Sequence, residues 1–173
     1  TERALLHSVV LEELAWGDVG LCISLELRDT IAPWAQGFGK TAAYEYFAER
    51  KDIGCLALTE PDHGSDHVAF TEEIFSDPSV RPGCRARREG DEWVINGQKA
   101  AWVSNGPVTT AAALFCTLED SKDGIKGGVA FLVPMELPGV SRGKPLDKIG
   151  QRTLPQGELF FEDVRVPDDF MLI

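Results

Sequence analysis

Thr59, Ser65 and a set of free backbone N–H groups fall together in the run Leu56-Ala57-Leu58-Thr59-Glu60-Pro61-Asp62-His63-Gly64-Ser65-Asp66. Residues 53–58 are apolar and read as a buried strand. Pro61 cannot donate a ladder hydrogen bond, so the strand ends at Thr59. Gly64-Ser65-Asp66 then reads as a sharp turn, glycine for its tolerance of positive φ, serine and aspartate for bonds to their own backbone. A loop of this kind suits an anionic or carbonyl-bearing ligand. It is equally compatible with a plain polar turn between two strands.

Other arrangements of the same residue types fail on geometry. His63, Asp66 and His67 are zinc-ligating types, but histidines four apart converge only on a helix, which Gly64 opposes. No metal site is expected. Ser65, His63 and Asp66 are too close in sequence to face one another as a hydrolytic triad. Gly37-Phe38-Gly39-Lys40-Thr41 imitates a phosphate-binding loop, but position 34, where the motif needs glycine, is Trp, and the segment follows helices rather than a strand.

The elements that must position the loop are legible by periodicity. Residues 2–16 predict an amphipathic helix with Leu5, Leu6, Val9, Val10 and Leu14 on one stripe. Asp18 predicts the cap of a second helix running to about Arg28. Residues 29–39, with Pro33, Gly37 and Gly39, predict a break, and 40–50 a third helix. From Ile53 the pattern turns to strands, including a roughly alternating stretch at 68–75. Cys84–Glu89 is expected to pair with Glu92–Ile95 across Gly90-Asp91, and Asn96-Gly97 reads as the turn of a further hairpin leading into Lys99–Val103. Ala111–Leu118, Gly128–Val133 and Glu158–Val164 complete the set, with turns at Pro138-Gly139 and a charged loop at 119–126. The expectation is an α+β chain: helices over 1–52, then a compact antiparallel β domain, barrel- or sandwich-like, over 53–173.

Composition narrows the partners. The 173 residues carry 17 basic and 28 acidic side chains, a net charge of −11 that argues against nucleic acid and anionic membranes. No apolar run approaches the roughly 20 residues a membrane span needs. The N-terminal stretch is charged and periodic, unlike a signal peptide. Cys22, Cys55, Cys84 and Cys116 are widely spaced and read as reduced thiols of a cytosol-like compartment. The chain starts without Met and stops just after Val166-Pro167-Asp168-Asp169, which suggests a part of a longer protein.

Three further segments change the reading: Trp93-Val94-Ile95-Asn96-Gly97-Gln98-Lys99-Ala100-Ala101-Trp102-Val103-Ser104-Asn105, Lys148-Ile149-Gly150-Gln151-Arg152, and Phe160-Phe161-Glu162-Asp163-Val164-Arg165-Val166-Pro167. With the Thr59 loop, and in this order, they resemble the acyl-CoA dehydrogenase family. Its pattern is a T-E-P-x-x-G-S-D loop, an N-G-x-K-x-W-I-[TS]-N segment, a K-x-G-x-R turn and an F-x-[DN]-V-x-V-P strand. The resemblance covers most of the chain and implies the end of an N-terminal helical domain followed by a flavin-binding middle β domain. It implies FAD contacts from Leu56, Leu58, Thr59, Gly64, Ser65, Trp102, Val103 and Ser104, with Ser65 also toward the acyl-CoA.

In these roles the strand end at 56–59 faces the pyrimidine edge of the flavin, Trp102 covers the ring, and Ser104 places a hydroxyl near N5. The family usually has Thr at the position of Ser104; the hydroxyl is kept and a methyl lost. Trp102 taken alone reads rather as core filling. Arg152 reads either as an anion contact or as a structural ion pair.

The implied reaction is α,β-dehydrogenation of an acyl thioester, in which a carboxylate takes the α proton and flavin N5 the β hydride. The family's base is a Glu in or beside a C-terminal helical domain that nothing here matches. No catalytic residue is therefore expected in this chain, and Glu60 reads as structural. Electron-transfer flavoprotein is the implied electron acceptor, a homodimer or homotetramer the implied assembly, and the cytoplasm or mitochondrial matrix the implied location. An acyl-CoA oxidase, a nitroalkane oxidase or a flavin monooxygenase of the same fold, and a non-catalytic β interaction module, are the alternatives.

Overall fold

Asp18 accepts the Leu21 N–H at 2.9 Å, which satisfies one of the orphan donors of a first helical turn. The chain therefore breaks after helix α1, Glu2–Gly17, and restarts as α2, Val19–Arg28, in a computed structural model that describes residues 2–173. The predicted break that follows holds a helix of its own: α3 spans Ile31–Gly37. Pro33 lies in its first turn, where a missing N–H removes no intrahelical bond, so proline does not prevent the helix. With α4, Thr41–Ala48, the described residues hold four α-helices in place of the expected three. Ile31, Ala35, Ala43 and Phe47 turn inward onto the β domain. The stripe Leu5, Leu6, Val9, Val10 and Leu14 on α1 remains exposed.

The strands are β1 Gly54–Ala57, β2 Arg85–Glu89, β3 Glu92–Ser104, β4 Ala111–Leu118, β5 Gly128–Pro134, β6 Val140–Arg142 and β7 Gln156–Pro167. They form one curled sheet of order β1-β4-β2-β3-β7-β6, with β5 on the other edge of β4. The α+β class and the helical-then-β order are as expected. The sheet, however, is mixed rather than antiparallel: β1 runs parallel to the first half of β4, from Gly54 opposite Ala111 to Ala57 opposite Leu114. β2 runs parallel to its last two residues, with Arg85 opposite Thr117 and Ala86 opposite Leu118. β4 is buried on both faces, and its run Ala-Ala-Ala-Leu-Phe-Cys is continuous rather than alternating for that reason. Around it, Ile95, Leu114, Phe131, Leu132, Leu159, Phe161 and Val164 make the core.

Two local expectations give way. Asn96-Gly97 is not a hairpin turn; β3 passes straight through it, with a register shift against β7 between Ile95 and Gly97. Gly97 is needed because β3 crosses close to Cys84: at its φ of 140° an added Cβ would come within 2.5 Å of the Cys84 Cα. The tight hairpin is the earlier one, where Gly90 at φ 65° joins β2 to β3. Residues 68–75 are not a strand either: they run from the end of one 3₁₀ turn, Ser65–Val68, through irregular chain into another, Glu73–Ser76.

Candidate functional site

Along β1, Cys55 and Ala57 point into the core, while Leu56 and Leu58 point out. The loop that follows is braced from within. Asp66 accepts the Gly64 N–H through Oδ1 and meets His63 Nδ1 through Oδ2, both at 2.7 Å, and the Glu60 N–H donates to the His63 carbonyl at 2.7 Å. Burial pushes the Asp66 carboxyl up, but the bonds from His63 and the Gly64 N–H outweigh it and hold it below the ordinary carboxylate range. Gly64 makes the turn at a φ of −144°, so the positive φ expected of it is not used.

A buried ion pair latches this loop to β3. Lys99 Nζ donates to Glu60 Oε1 at 2.7 Å and to the Leu58 carbonyl at 2.9 Å. Glu60 Oε2 accepts the N–H groups of Gly83 at 2.5 Å and Cys84 at 3.1 Å. The side chains of Lys99 and Glu60 are 0% and 2% exposed. Each has its partners within the protein, which is the condition for burying charge. Glu60 thus spends both carboxylate oxygens on partners inside the protein. Beside the latch, the Ala100 N–H donates to the Thr59 carbonyl at 2.8 Å, so Thr59 lies directly against β3.

From there β3 leads to the other site residues. Val103 is buried in the core, so only its backbone can meet a ligand. Trp102 and Ser104, its neighbours on the opposite face, point outward, with Trp102 61% exposed. Gln156 stands opposite Ser104 on β7. Its Nε2 donates to Ser104 Oγ at 3.0 Å and to the Trp102 carbonyl at 3.1 Å. Ser104 Oγ therefore receives a hydrogen, and its own O–H can be given outward. Asn105 closes the strand at a φ of 63°. Its Nδ2 donates to the carbonyls of Ser24 at 3.0 Å and Gly54 at 3.2 Å, and its Oδ1 accepts from Ser24 Oγ at 2.7 Å. One buried amide thus ties the end of β3 to α2 and to the start of β1.

The fold thus gathers Leu56, Leu58, Thr59, Trp102, Val103 and Ser104 where β1 and β3 are stapled together. Gly64 and Ser65 continue the same loop, with Ser65 exposed at the head of a 3₁₀ turn. An apolar cavity of about 380 Å³ opens beside it, lined by Trp34, Leu56, Leu58, His67, Phe70 and Phe115. Arg152 pairs locally with Asp147 at 2.9 Å and bonds the Lys148 carbonyl. Among the described residues no group of His, Cys, Asp or Glu is arranged to hold a metal, and no helix is long and apolar enough to cross a membrane. Two contributors escaped sequence reasoning. Asn105 was visible as the last residue of a motif but carried no role. Gln156 had no local signal, because only strand register puts it beside Ser104.

The donor set fits a flat heteroaromatic ligand with polar edge atoms: an exposed indole, an outward hydroxyl and a strand end in one place. A family model described as the acyl-CoA dehydrogenase middle domain matches residues 55–164. The mitochondrial short-chain specific acyl-CoA dehydrogenase of Rattus norvegicus is 36% identical over 97% of this chain and 39% of that protein. The chain thus spans about two-fifths of the length of that curated relative. Butyryl-CoA dehydrogenase from Megasphaera elsdenii superposes with a TM-score of 0.75 at 31% identity, over 93% of this chain and 40% of that one. A glutaryl-CoA dehydrogenase from Mycobacterium smegmatis, solved in complex with FADH2, superposes with a TM-score of 0.73 at 28% identity, over 94% of this chain and 38% of that one.

Proposed function

The chain belongs to the acyl-CoA dehydrogenase family, and we propose that it binds FAD on the ledge formed by Thr59, Trp102 and Ser104 and serves the α,β-dehydrogenation of an acyl-CoA thioester. The observation that carries this reading is an indole 61% exposed beside an outward serine hydroxyl, on a strand latched to the Thr59 loop. An apolar ring left largely in water on a rigid strand is explained when another flat surface lies on it.

When bound, the flavin supplies an acceptor for two electrons at N5. The work of the chain is placement. Trp102 offers a stacking face, and the Ser104 hydroxyl donates toward N5. The Thr59 hydroxyl and the backbone of residues 56–59 meet the pyrimidine edge, and Gly64 and Ser65 contact the cofactor, with Ser65 also toward the thioester. The latch holds Thr59 and β3 in fixed relation, so these groups act as one template. Glu60 has both oxygens committed and is buried, so the α-proton acceptor is a different group. Electron-transfer flavoprotein as oxidant, a homodimer or homotetramer as the assembly, and the cytoplasm or mitochondrial matrix as location complete the proposal.

The test is direct. The intact protein purifies yellow or becomes so with FAD, and its flavin absorbance bleaches on anaerobic addition of a short acyl-CoA such as butyryl-CoA. A colourless protein that no added FAD restores overturns the reading. Reduction of electron-transfer flavoprotein without peroxide release separates a dehydrogenase from an oxidase.

A further inference from the structure

Gln156 reaches Ser104 as the middle of a longer chain of hydrogen bonds. Lys148 Nζ donates to Gln156 Oε1 at 2.9 Å and to the Leu154 carbonyl at 2.7 Å. The lysine is itself held from both sides: the Leu146 N–H donates to the Gln156 carbonyl at 2.8 Å, and Arg152 Nη1 donates to the Lys148 carbonyl at 2.9 Å.

An amide side chain can usually be turned over without visible cost, but this one cannot. An ammonium group only donates, so the end facing Lys148 must be the oxygen. A backbone carbonyl only accepts, so the end facing Trp102 must be the nitrogen. Two partners of fixed polarity thus pin the Gln156 amide from opposite ends, and the same nitrogen delivers a hydrogen to Ser104 Oγ at 3.0 Å. With one lone pair of Ser104 occupied, its hydroxyl hydrogen is directed away from Gln156.

We propose that Lys148 and Gln156 are positioning residues that lock the Ser104 hydroxyl as an outward donor, so that the site discriminates between the two redox forms of the ring it faces. N5 of oxidised flavin accepts a hydrogen bond, whereas N5–H of the two-electron reduced form donates one. A hydroxyl fixed as donor favours the first form. This inference rests on the flavin reading above, and it gives the lysine of the Lys148-Ile149-Gly150-Gln151-Arg152 turn a task inside the fold.

The experiment uses the intact protein reconstituted with FAD. Its two-electron midpoint is read by equilibration with a reference dye, and its affinity for FAD by titration. Gln156→Leu fills similar space without the amide. It is expected to raise affinity for reduced relative to oxidised FAD by about tenfold, an upward shift of about 30 mV. Lys148→Met shifts the potential the same way by less. Ser104→Ala also raises it, and adding Gln156→Leu to Ser104→Ala changes nothing further, because the relay acts only through that hydroxyl.

A merely structural Gln156 predicts a lower Tm with an unchanged potential; that result, with Ser104→Ala still active on the potential, overturns the relay and leaves the flavin site standing. If Gln156→Leu does not fold, Lys148→Met decides, and an unshifted potential in it overturns the relay. Bound FAD whose potential ignores Ser104→Ala removes Ser104 from N5 and the relay with it. A protein that takes up no FAD removes the flavin reading itself.

Discussion

Lys99 and Trp102 lie three residues apart on β3, and each has the exposure expected of the other. The lysine is wholly buried, whereas the indole is 61% exposed. Ordinary burial preferences would reverse them. The difference lies in what each has to bond with. Lys99 meets a carboxylate and a carbonyl inside the protein, and the carboxylate's other oxygen meets two backbone donors, so the cluster is closed and needs nothing from outside. Trp102 and Ser104 are open. The indole lacks a covering surface, and the serine hydroxyl has a hydrogen to give outward. The closed cluster holds the fold together, and the open pair is the surface the proposed flavin would cover.

The sharpest way to break this comparison is to open the closed half. Lys99→Met leaves Glu60 charged and buried and the Leu58 carbonyl without its donor. The expected cost is about 3–5 kcal/mol of stability, read as the urea midpoint, or a fall in Tm of roughly ten degrees or more. Adding Glu60→Leu should not repair it, because the Gly83 and Cys84 N–H groups then lose their acceptor. A loss below about 1 kcal/mol in Lys99→Met would mean that the pair is dispensable and the loop is held by something else.

Substitutions in the open half should show the reverse profile. Trp102→Ala is expected to change stability by about 0.5 kcal/mol or less and to weaken FAD binding by up to about tenfold, the stacking energy of one aromatic pair. A Tm loss as large as that of Lys99→Met would return Trp102 to the core. Thr59→Val keeps the shape and removes one hydroxyl, and a single hydrogen bond of about 1 kcal/mol predicts roughly a fivefold loss of FAD affinity with little change in fold. Unchanged affinity in both variants would move the flavin elsewhere.

The legible part of this molecule is the part decided by near neighbours. Asp18 as a cap, the strands β4 and β5, and the clustering of Thr59 with its loop all follow from local spacing. The rest turns on context that residue type alone does not carry. Gly97 looked like a turn, yet it is a glycine because Cys84 passes beneath it. Pro33 looked like a break, yet it occupies the first turn of α3. The parallel pairing of β1 and β2 with β4 could not be seen in strands that look alike in either direction. The site divides in the same way. Thr59, Trp102 and Ser104 sit in recognisable motifs, whereas Gln156 matters only through the register of β3 and β7.

His67 stands between the two cases and gives the smallest effect. Its Nε2 is buried and has no hydrogen-bond partner among the described residues, and its ring borders the apolar cavity. Burial lowers its pKa from 6.5, the Lys99 ammonium and His63 lower it further, and Glu60 and Asp66 oppose the shift. The unfolded chain therefore takes up a proton near pH 6.5 while the folded chain still resists, so the unfolded state binds more protons in that interval. Stability should fall as the pH drops through about 6.5 and level off once the folded pKa is passed. Urea midpoints at pH 7.5 and 5.5 measure this, and His67→Phe should flatten the difference while His63 and His7 stay in place. The ring is only partly buried, so water screens much of the effect and the change in slope should be modest. Equal slopes in the two proteins would mean that the lone nitrogen is solvated after all, and that the closed region extends less far along the loop than Lys99 and Glu60 suggest.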